Sequence, residues 1–311
     1  MRTATSRLLG VAIALTGGAV AARWWDTPRA RIPVLQSAFP VVGIVAGALL
    51  LLALLLRGRR LAVAAALVAC VPAVLGVRAA LPDTVDAGPR DEVVMVSNLE
   101  IGSADAASVV RAVREQRVTS LVLVEVTPDA ADRLRTAGLE KLLPYAVGSP
   151  QQGAEGTVIR SRHPLTTLHS AHVSRRFDQP VARVHADEGA YVLRAVHPYP
   201  PVPDLVASWH RQLGELAAWR DAQPADEPLV MAGDFNASAA HPAFRRVVRT
   251  MTDAHRATGA GWVRTWPQGH TLPPFVQLDH VLVRRLGVVD AGVEEIDGTD
   301  HAAAWARLRV G

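Results

Sequence analysis

The chain has 311 residues, half of them hydrophobic and only 5% aromatic, a formal charge of +4 at pH 7, and one cysteine, Cys70. That length predicts two or more units, and a single cysteine excludes both an intramolecular disulfide and a cysteine-built zinc site. Residues 1–90 carry ten Arg against three Asp, a net +7, whereas residues 91–311 carry 23 basic and 26 acidic side chains, a net −3. The second part therefore lacks the broad basic field of a nonspecific nucleic-acid binder.

Residues 1–81 read as a membrane region of about three helices, near 8–25, 34–56 and 61–81. Leu8–Ala22 is uncharged after Arg2 and Arg7, and Trp24 and Trp25 can seat its end at an interface. A signal peptide cleaved after Ala19-Val20-Ala21 is the alternative. Val34–Leu56 is uncharged and Leu-rich, with Pro40 near its start. Leu61–Val77 is a further apolar run, extendable to Leu81, and a membrane helix tolerates its Pro72. Arg57, Arg59 and Arg60 lie between these runs. Basic residues concentrate on cytoplasmic loops, so these three are expected inside and everything after Leu81 outside the cytoplasm. Arg23, Arg29 and Arg31 in the other loop temper that bias. The expected location is the cell membrane, multi-pass, with an extracytoplasmic C-terminal domain. Residues 82–90, with Pro82, Gly88 and Pro89, read as a linker spanning at most about 35 Å.

The domain 91–311 opens with a strand, Glu92–Ser97, ending at Asn98. Ser103 is expected to cap a helix through Gln116, with Val109, Val110 and Val113 on one face. Leu121–Val124 is a buried strand followed by Glu125, and Pro128 starts another helix. Thr157–Ile159, Tyr191–Val196 and Leu278–Val283 read as strands. Pro203–Arg220 reads as a helix with Leu205, Leu213 and Leu216 toward the core. Intermixed strands and helices of this kind predict an α/β fold with a sheet core flanked by helices.

The central stretch is Leu229–Ala232, a short apolar run, followed by Gly233-Asp234-Phe235-Asn236. In a strand register, Asp234 and Asn236 project the same way. A carboxylate accepts a proton or binds a metal, and a carboxamide donates to a phosphate oxygen. A plain turn is the alternative. Polar residues recur where other apolar strands stop: Asn98, Glu125, His197, Asp279 and Asp300-His301. Loops converge at strand ends, and functional groups gather there.

In order, these blocks resemble the endonuclease/exonuclease/phosphatase superfamily, which includes DNase I-like nucleases, inositol polyphosphate phosphatases and neutral sphingomyelinases. The likeness runs from about Val93 to Leu308. It rests on Asn98, Glu125 in LVLVEV, SRHP at Ser161–Pro164, His197 in RAVHP, Asp234 and Asn236 in GDFN, Asp279 in QLDHV, and Asp300-His301 in TDH. The preceding spans and the near-exclusive use of Arg, with Lys141 the single lysine, resemble an actinobacterial branch. The resemblance implies a DNase I-like four-layer α/β sandwich: two packed, mostly antiparallel sheets flanked by helices, here preceded by transmembrane helices. It also implies a metal-dependent phosphoesterase using Mg²⁺ or Mn²⁺.

Chemistry and resemblance assign the same roles. Glu125 suits a hard cation, with Asn98 assisting through its carbonyl oxygen or orienting a neighbour and Asp300 as a second ligand. Asp234 would activate water and Asn236 would donate to a phosphoryl oxygen. His197 and His301 would neutralise transition-state charge, and Asp279 would orient His301. His163 is expected to pack near the site, His280 to be structural, Arg162 to be a buried ion-pair partner, and Trp266 to be core more than substrate contact. Loops 148–156, 169–190, 198–204 and 256–275 are expected to set specificity. The expected partner is a phosphoester, lipid-linked in preference to nucleic acid. Arg175-Arg176 and Arg245-Arg246 are the features that would favour DNA. An inactive binding module is the remaining alternative.

Overall fold

The computed structural model describes residues 2–29, 31–169 and 177–310. Its first unit is helical: α1 (Arg2–Ala21), α2 (Arg31–Ser37), α3 (Phe39–Leu55) and α4 (Arg59–Ala79). Two helices, over Ala4–Trp24 and Arg59–Ala79, are long and apolar enough to cross a membrane; α2 and α3 add a third if that pair, bent by 66°, is one span. The continuous helix expected over 34–56 is thus broken. Pro40 lies in the first turn of α3, where its ring opposes continuation from the preceding turn. Small residues bring the helices close: a Cβ on Gly43 would lie 3.0 Å from Pro72, and one on Gly17 3.2 Å from Val68.

The linker is not a free tether. The Asp83 N–H donates to Ala257 O (2.6 Å), the Val85 N–H to Val288 O (2.8 Å), and Arg309 to Asp86 O (2.6 Å). The segment is laid along the following unit.

That unit comprises β1 (Glu92–Asn98), α5 (Ala106–Glu115), β2 (Ser120–Val124), α6 (Pro128–Thr136), α7 (Leu139–Leu142), β3 (Tyr145–Ser149), β4 (Thr157–Ser161), β5 (Leu165–Leu168), β6 (Val181–Ala186) and β7 (Gly189–Val196). It continues through α8 (Val206–Ala222), β8 (Leu229–Asp234), α9 (Pro242–Val248), β9 (Thr252–Asp253), α10 (Ala254–Ala257), β10 (Asp279–Arg284), β11 (Gly287–Glu294) and β12 (Ala303–Arg309). One sheet runs β11-β12-β1-β2-β4-β3 and the other β5-β6-β7-β8-β10-β9. Only β1–β2 and β7–β8 pair in parallel; the other neighbours are antiparallel. Residues 169–190, expected as one loop, therefore include β6 and the start of β7, and Arg175-Arg176 lie outside the described residues.

Alternation along the strands builds three cores. Val94 and Val96 of β1 point between the sheets with Val122, Val124, Leu193, Val230 and Val281. Their neighbours Val93 and Met95 face α5 and α6, meeting Val109, Val110, Val113 and Leu134. On the other sheet Met231 and Val192 meet Trp209, Leu213 and Leu216 of α8, while Leu205 is half-buried at that helix's start. Full burial of each such side chain contributes about 1.5–3 kcal/mol. The first flanking helix begins later than expected, because the carboxylate of Asp105, not Ser103, accepts the Ser108 N–H as its cap.

At the edge of the second sheet Asp253 ends β9 and caps α10, accepting the His255 and Arg256 N–H groups and, at 2.6 Å, His280 Nδ1. His280 is structural: its Nε2 meets Ala237 O and its ring packs against Phe235 and Phe244. Burial pulls the Asp253 carboxyl up, but His280, His255 and the Arg256 N–H outweigh it and hold the group below its ordinary value. A lowered folded value contributes stability in full above the unfolded carboxylate range, and that stability is lost as pH falls through the lowered value. Asp253→Ala leaves His280 buried without its partner and is expected to cost about 3–5 kcal/mol. A denaturant midpoint unchanged from the parent at neutral pH would refute this.

Candidate active site

The strand directions decide where the polar residues meet. Asn98 and Asp234 are the last residues of β1 and β8, and Glu125 and His197 follow β2 and β7. Asp279 and Asp300-His301 differ from expectation: they stand at or before the starts of β10 and β12. Those strands are antiparallel to β8 and β1, with Asp279 opposite Asp234, so starts and stops share one edge. The two sheets are joined there by Asn98, whose amide donates to Glu125 Oε1 (3.2 Å) and Asp234 Oδ2 (3.1 Å). Its carbonyl oxygen accepts the Glu100 N–H at 2.9 Å, so Asn98 orients the two carboxylates and keeps one lone pair of that oxygen.

Backbone strain concentrates here. Among the described non-glycine residues with left-handed φ are Glu100 (47°), Ile101 (52°), Glu125 (58°) and Asn236 (48°). The turn at 100–101 aims the Ile101 N–H at Glu125 Oε2, 2.8 Å away. Asn236 is not in strand register with Asp234. The strand ends at Asp234, whose Oδ1 accepts the Asn236 N–H (2.7 Å), and the Asn236 amide donates to Pro198 O (3.1 Å). One amide hydrogen of Asn236 is left for another acceptor.

Asp234, Asp279 and His301 are buried, with ligand atoms within 4.8 Å of one another. His301 Nδ1 lies 2.8 Å from Asp279 Oδ2, and its Nε2 lies 3.8 Å from both Asp234 Oδ2 and Asp300 Oδ1. Burial pulls the imidazole down, but Asp279, Asp234 and Asp300 outweigh it and push its pKa up to about 10. Burial raises Asp234 to about 6, against the pull of His301 and His197. His197, 3.6 Å from Glu125 Oε1, is held below its ordinary value by burial. Its Nδ1 and Asp279 Oδ1 are buried without a partner. Glu125 is raised, chiefly by burial and also by Asp300, against the bonds from Ile101 and Asn98.

The buried group of Asp234, Asp279 and His301 stands beside the expected metal ligands Asn98, Glu125 and Asp300. The carboxylates that push the His301 pKa up to about 10 favour a protonated ring, which is a poor ligand. The wider site still suits a divalent cation. Glu125, Asp234, Asp279 and Asp300 surround it, and among the described residues no Arg or Lys bonds to any of them. Four carboxylates against the single imidazole of His301 leave the site net negative, and hard oxygen donors with net negative charge fit Mg²⁺ or Mn²⁺.

Several supporting groups lie outside the sequence motifs. Thr299 Oγ1 donates to Asn98 O (2.9 Å) and accepts the His301 N–H (3.2 Å). Glu100 Oε2 accepts the Asp300 N–H at 2.9 Å. Thr265 Oγ1 accepts the Leu278 and Asp279 N–H groups, and Trp266 Nε1 donates to Asp300 Oδ2 (2.9 Å). Trp266 is half-buried and holds a site carboxylate, so it is not simply core. His163 is displaced from expectation: it sits 3.1 Å from Glu92 at the opposite end of β1, and Arg162 beside it is exposed. Arg245 and Arg246, the features that would favour DNA, bond to Arg23 O and Asp26 of the helical unit.

No curated protein sequence matches this chain. Solved structures similar to it include D. rerio TDP2 complexed with a single-strand DNA product (TM-score 0.58, 16% identity, 71% of this chain and 99% of that one). They also include an endonuclease/exonuclease/phosphatase from Beutenbergia cavernae (0.53, 20%, 71% and 72%). A third is sphingomyelinase C from Streptomyces griseocarneus (0.51, 17%, 70% and 99%). At these identities the likeness establishes the DNase I-like fold. The sequence pattern of one family also matches residues 95–301, from β1 through His301. With that span and the two helix-flanked sheets together, the chain belongs to the Endonuclease/Exonuclease/phosphatase family.

Proposed function

We propose that this protein is a membrane-tethered, divalent-metal-dependent phosphoesterase that hydrolyses its substrate by in-line attack of water. The observation that carries the reading is the meeting of Asn98, Glu125, Asp234, Asp279 and His301 at one edge, where burial pushes Asp234 up to about 6 and the surrounding carboxylates push His301 up to about 10. Asp234 is an ionised acceptor near neutrality and takes the proton of the attacking water. His301, kept cationic by Asp279, faces the same space through Nε2 and stabilises the charge that builds on phosphoryl or leaving oxygen. Asn236 donates its remaining N–H to a nonbridging oxygen, and His197 borders the Glu125 side. Glu125, with Asp300, would hold the cation, whose chemistry is to polarise the phosphoryl group.

Hydrolysis of bis(p-nitrophenyl) phosphate by the full chain is the test. Turnover with Mg²⁺ or Mn²⁺ that EDTA abolishes is expected; metal-independent turnover would overturn the metal dependence, and no turnover with any divalent ion would leave a binding module as the better reading.

The tether has a side. Arg57 lies between α3 and α4, and Arg59 and Arg60 open α4, at the helix ends away from those that meet the catalytic unit, which supports an extracytoplasmic catalytic unit. A C-terminal alkaline phosphatase fusion is expected to be active and a GFP fusion dark. The reverse pattern would overturn the location and leave the chemistry untouched.

A further inference from the structure

The hydrogen bonds between the helical unit and the catalytic unit come from segments that leave the site-bearing ends of β7 and β8, and from the segment after β9. After β7, His210 on α8 lies 2.7 Å from Asp26. After β8, Ala240 packs on Val20 and Phe39. Next to it, His241 Nδ1 accepts the Ser238 N–H (2.8 Å), so the ring's hydrogen is on Nε2, which donates to Pro33 O (2.9 Å). After β9, the Gly261 N–H donates to Ala79 O at 3.1 Å.

The linker gives the same direction independently. It leaves α4 beside Gly261, passes Val288 and ends at Glu92, which is opposite Leu308 at the end of β1 away from the site. The linker thus ends at the far end of β1, and β1 brings the chain back to Asn98. The site edge faces the helices, and the other end points away.

Three separate loops of that edge carry exposed apolar side chains: Ile101 after β1, Val202 after β7 and Leu272 before β10, the last 66% exposed. Single exposed apolar residues need no explanation, but these three lie on loops at the one edge that carries the site. Trp24 and Trp25 at the end of α1 are likewise exposed, a placement suited to a membrane interface. The turns at the opposite end carry Asp187, Glu188, Asp226, Glu227 and Arg285.

We propose that the catalytic cleft opens onto the lipid leaflet in which the chain's own helices sit, with Ile101, Val202 and Leu272 seated among its lipids. The substrates are then phosphoesters carried at headgroup level; this part rests on the phosphoesterase reading above. Catalysis at a surface that holds both enzyme and substrate raises effective concentration without further contacts.

The test uses the full chain in phosphatidylcholine vesicles carrying phosphatidylglycerol and a phosphoinositide. In a Cys70→Ala background a fluorophore is attached at Leu272→Cys, Val202→Cys or Asp226→Cys, and quenching by headgroup spin-labelled lipid is measured. The two rim positions are expected to lose most of their emission and Asp226→Cys little. Unquenched rim positions, or quenching at Asp226→Cys instead, would overturn the orientation. The unlabelled chain is then assayed on the vesicle lipids and on bis(p-nitrophenyl) phosphate with Mg²⁺. Release of a lipid headgroup or phosphate supports the substrate class. Turnover of the soluble diester with no vesicle phosphoester cleaved overturns it. Turnover of neither overturns the phosphoesterase reading, while the quenching result decides the orientation alone.

Discussion

Asp234→Asn is expected to lose roughly 10³-fold or more in turnover, the upper range for removal of a positioned general base. The substitution keeps size and shape, and its remaining oxygen can still accept one of the two bonds that Asn98 and Asn236 direct at the carboxylate. What it removes is the proton acceptor. The loss is therefore not recovered by added Mg²⁺. The pH profile gives a second readout. Asp234 must be ionised to act, so the parent rate rises with pH through about 6 and falls where His301 loses its proton near 10. A bound cation lowers the first limb further. The variant's residual rate lacks that limb. A folded Asp234→Asn protein with parental turnover would remove Asp234 from the reaction.

Glu125→Gln is expected to fail differently. Burial raises the half-buried carboxylate's pKa, and Asp300 adds to the rise, against the Ile101 and Asn98 N–H groups and the nearby His301. Removing one of four neighbouring negative charges weakens attraction for a dication while leaving Asp234 and His301 in position. Turnover at low Mg²⁺ falls by orders of magnitude, and a Mg²⁺ titration shows recovery at concentrations roughly 10–100-fold higher. Calorimetry of Mn²⁺ binding reports the same weakening without substrate. Equal Mn²⁺ affinity in parent and variant would assign the cation to other ligands.

Much of the fold is legible in the sequence because strands buried on both faces leave plain apolar runs, such as Val93–Val96 and Leu229–Ala232, with a polar residue one or two positions beyond. The site residues were legible for the same reason: a carboxylate or amide directly after a buried strand is conspicuous. What the runs do not carry is strand direction. Asp279 and His301 read as strand ends and are strand beginnings, brought to the shared edge by antiparallel pairing. Nor does composition show which oxygen of Asn98 a backbone N–H occupies, or that Thr265 and Trp266 reach Asp279 and Asp300 across more than a dozen residues. Thr299 had a signal, since it immediately precedes Asp300-His301, and a threonine before a buried pair is a ready local cap. Pro40 signalled the break between α2 and α3 in the same local way. The docking of Arg245, Arg246 and His241 on the helical unit had none, because it depends on two units meeting in space.

Water-mediated hydrolysis at this edge has one direct measurement. Full-length protein with Mg²⁺ and bis(p-nitrophenyl) phosphate in oxygen-18 water should give p-nitrophenyl phosphate carrying a single heavy oxygen and p-nitrophenol carrying none, with the reaction abolished in Asp234→Asn. Heavy oxygen in the phenol, or labelled product formed at the parental rate by Asp234→Asn, would contradict in-line attack on phosphorus by water activated at Asp234.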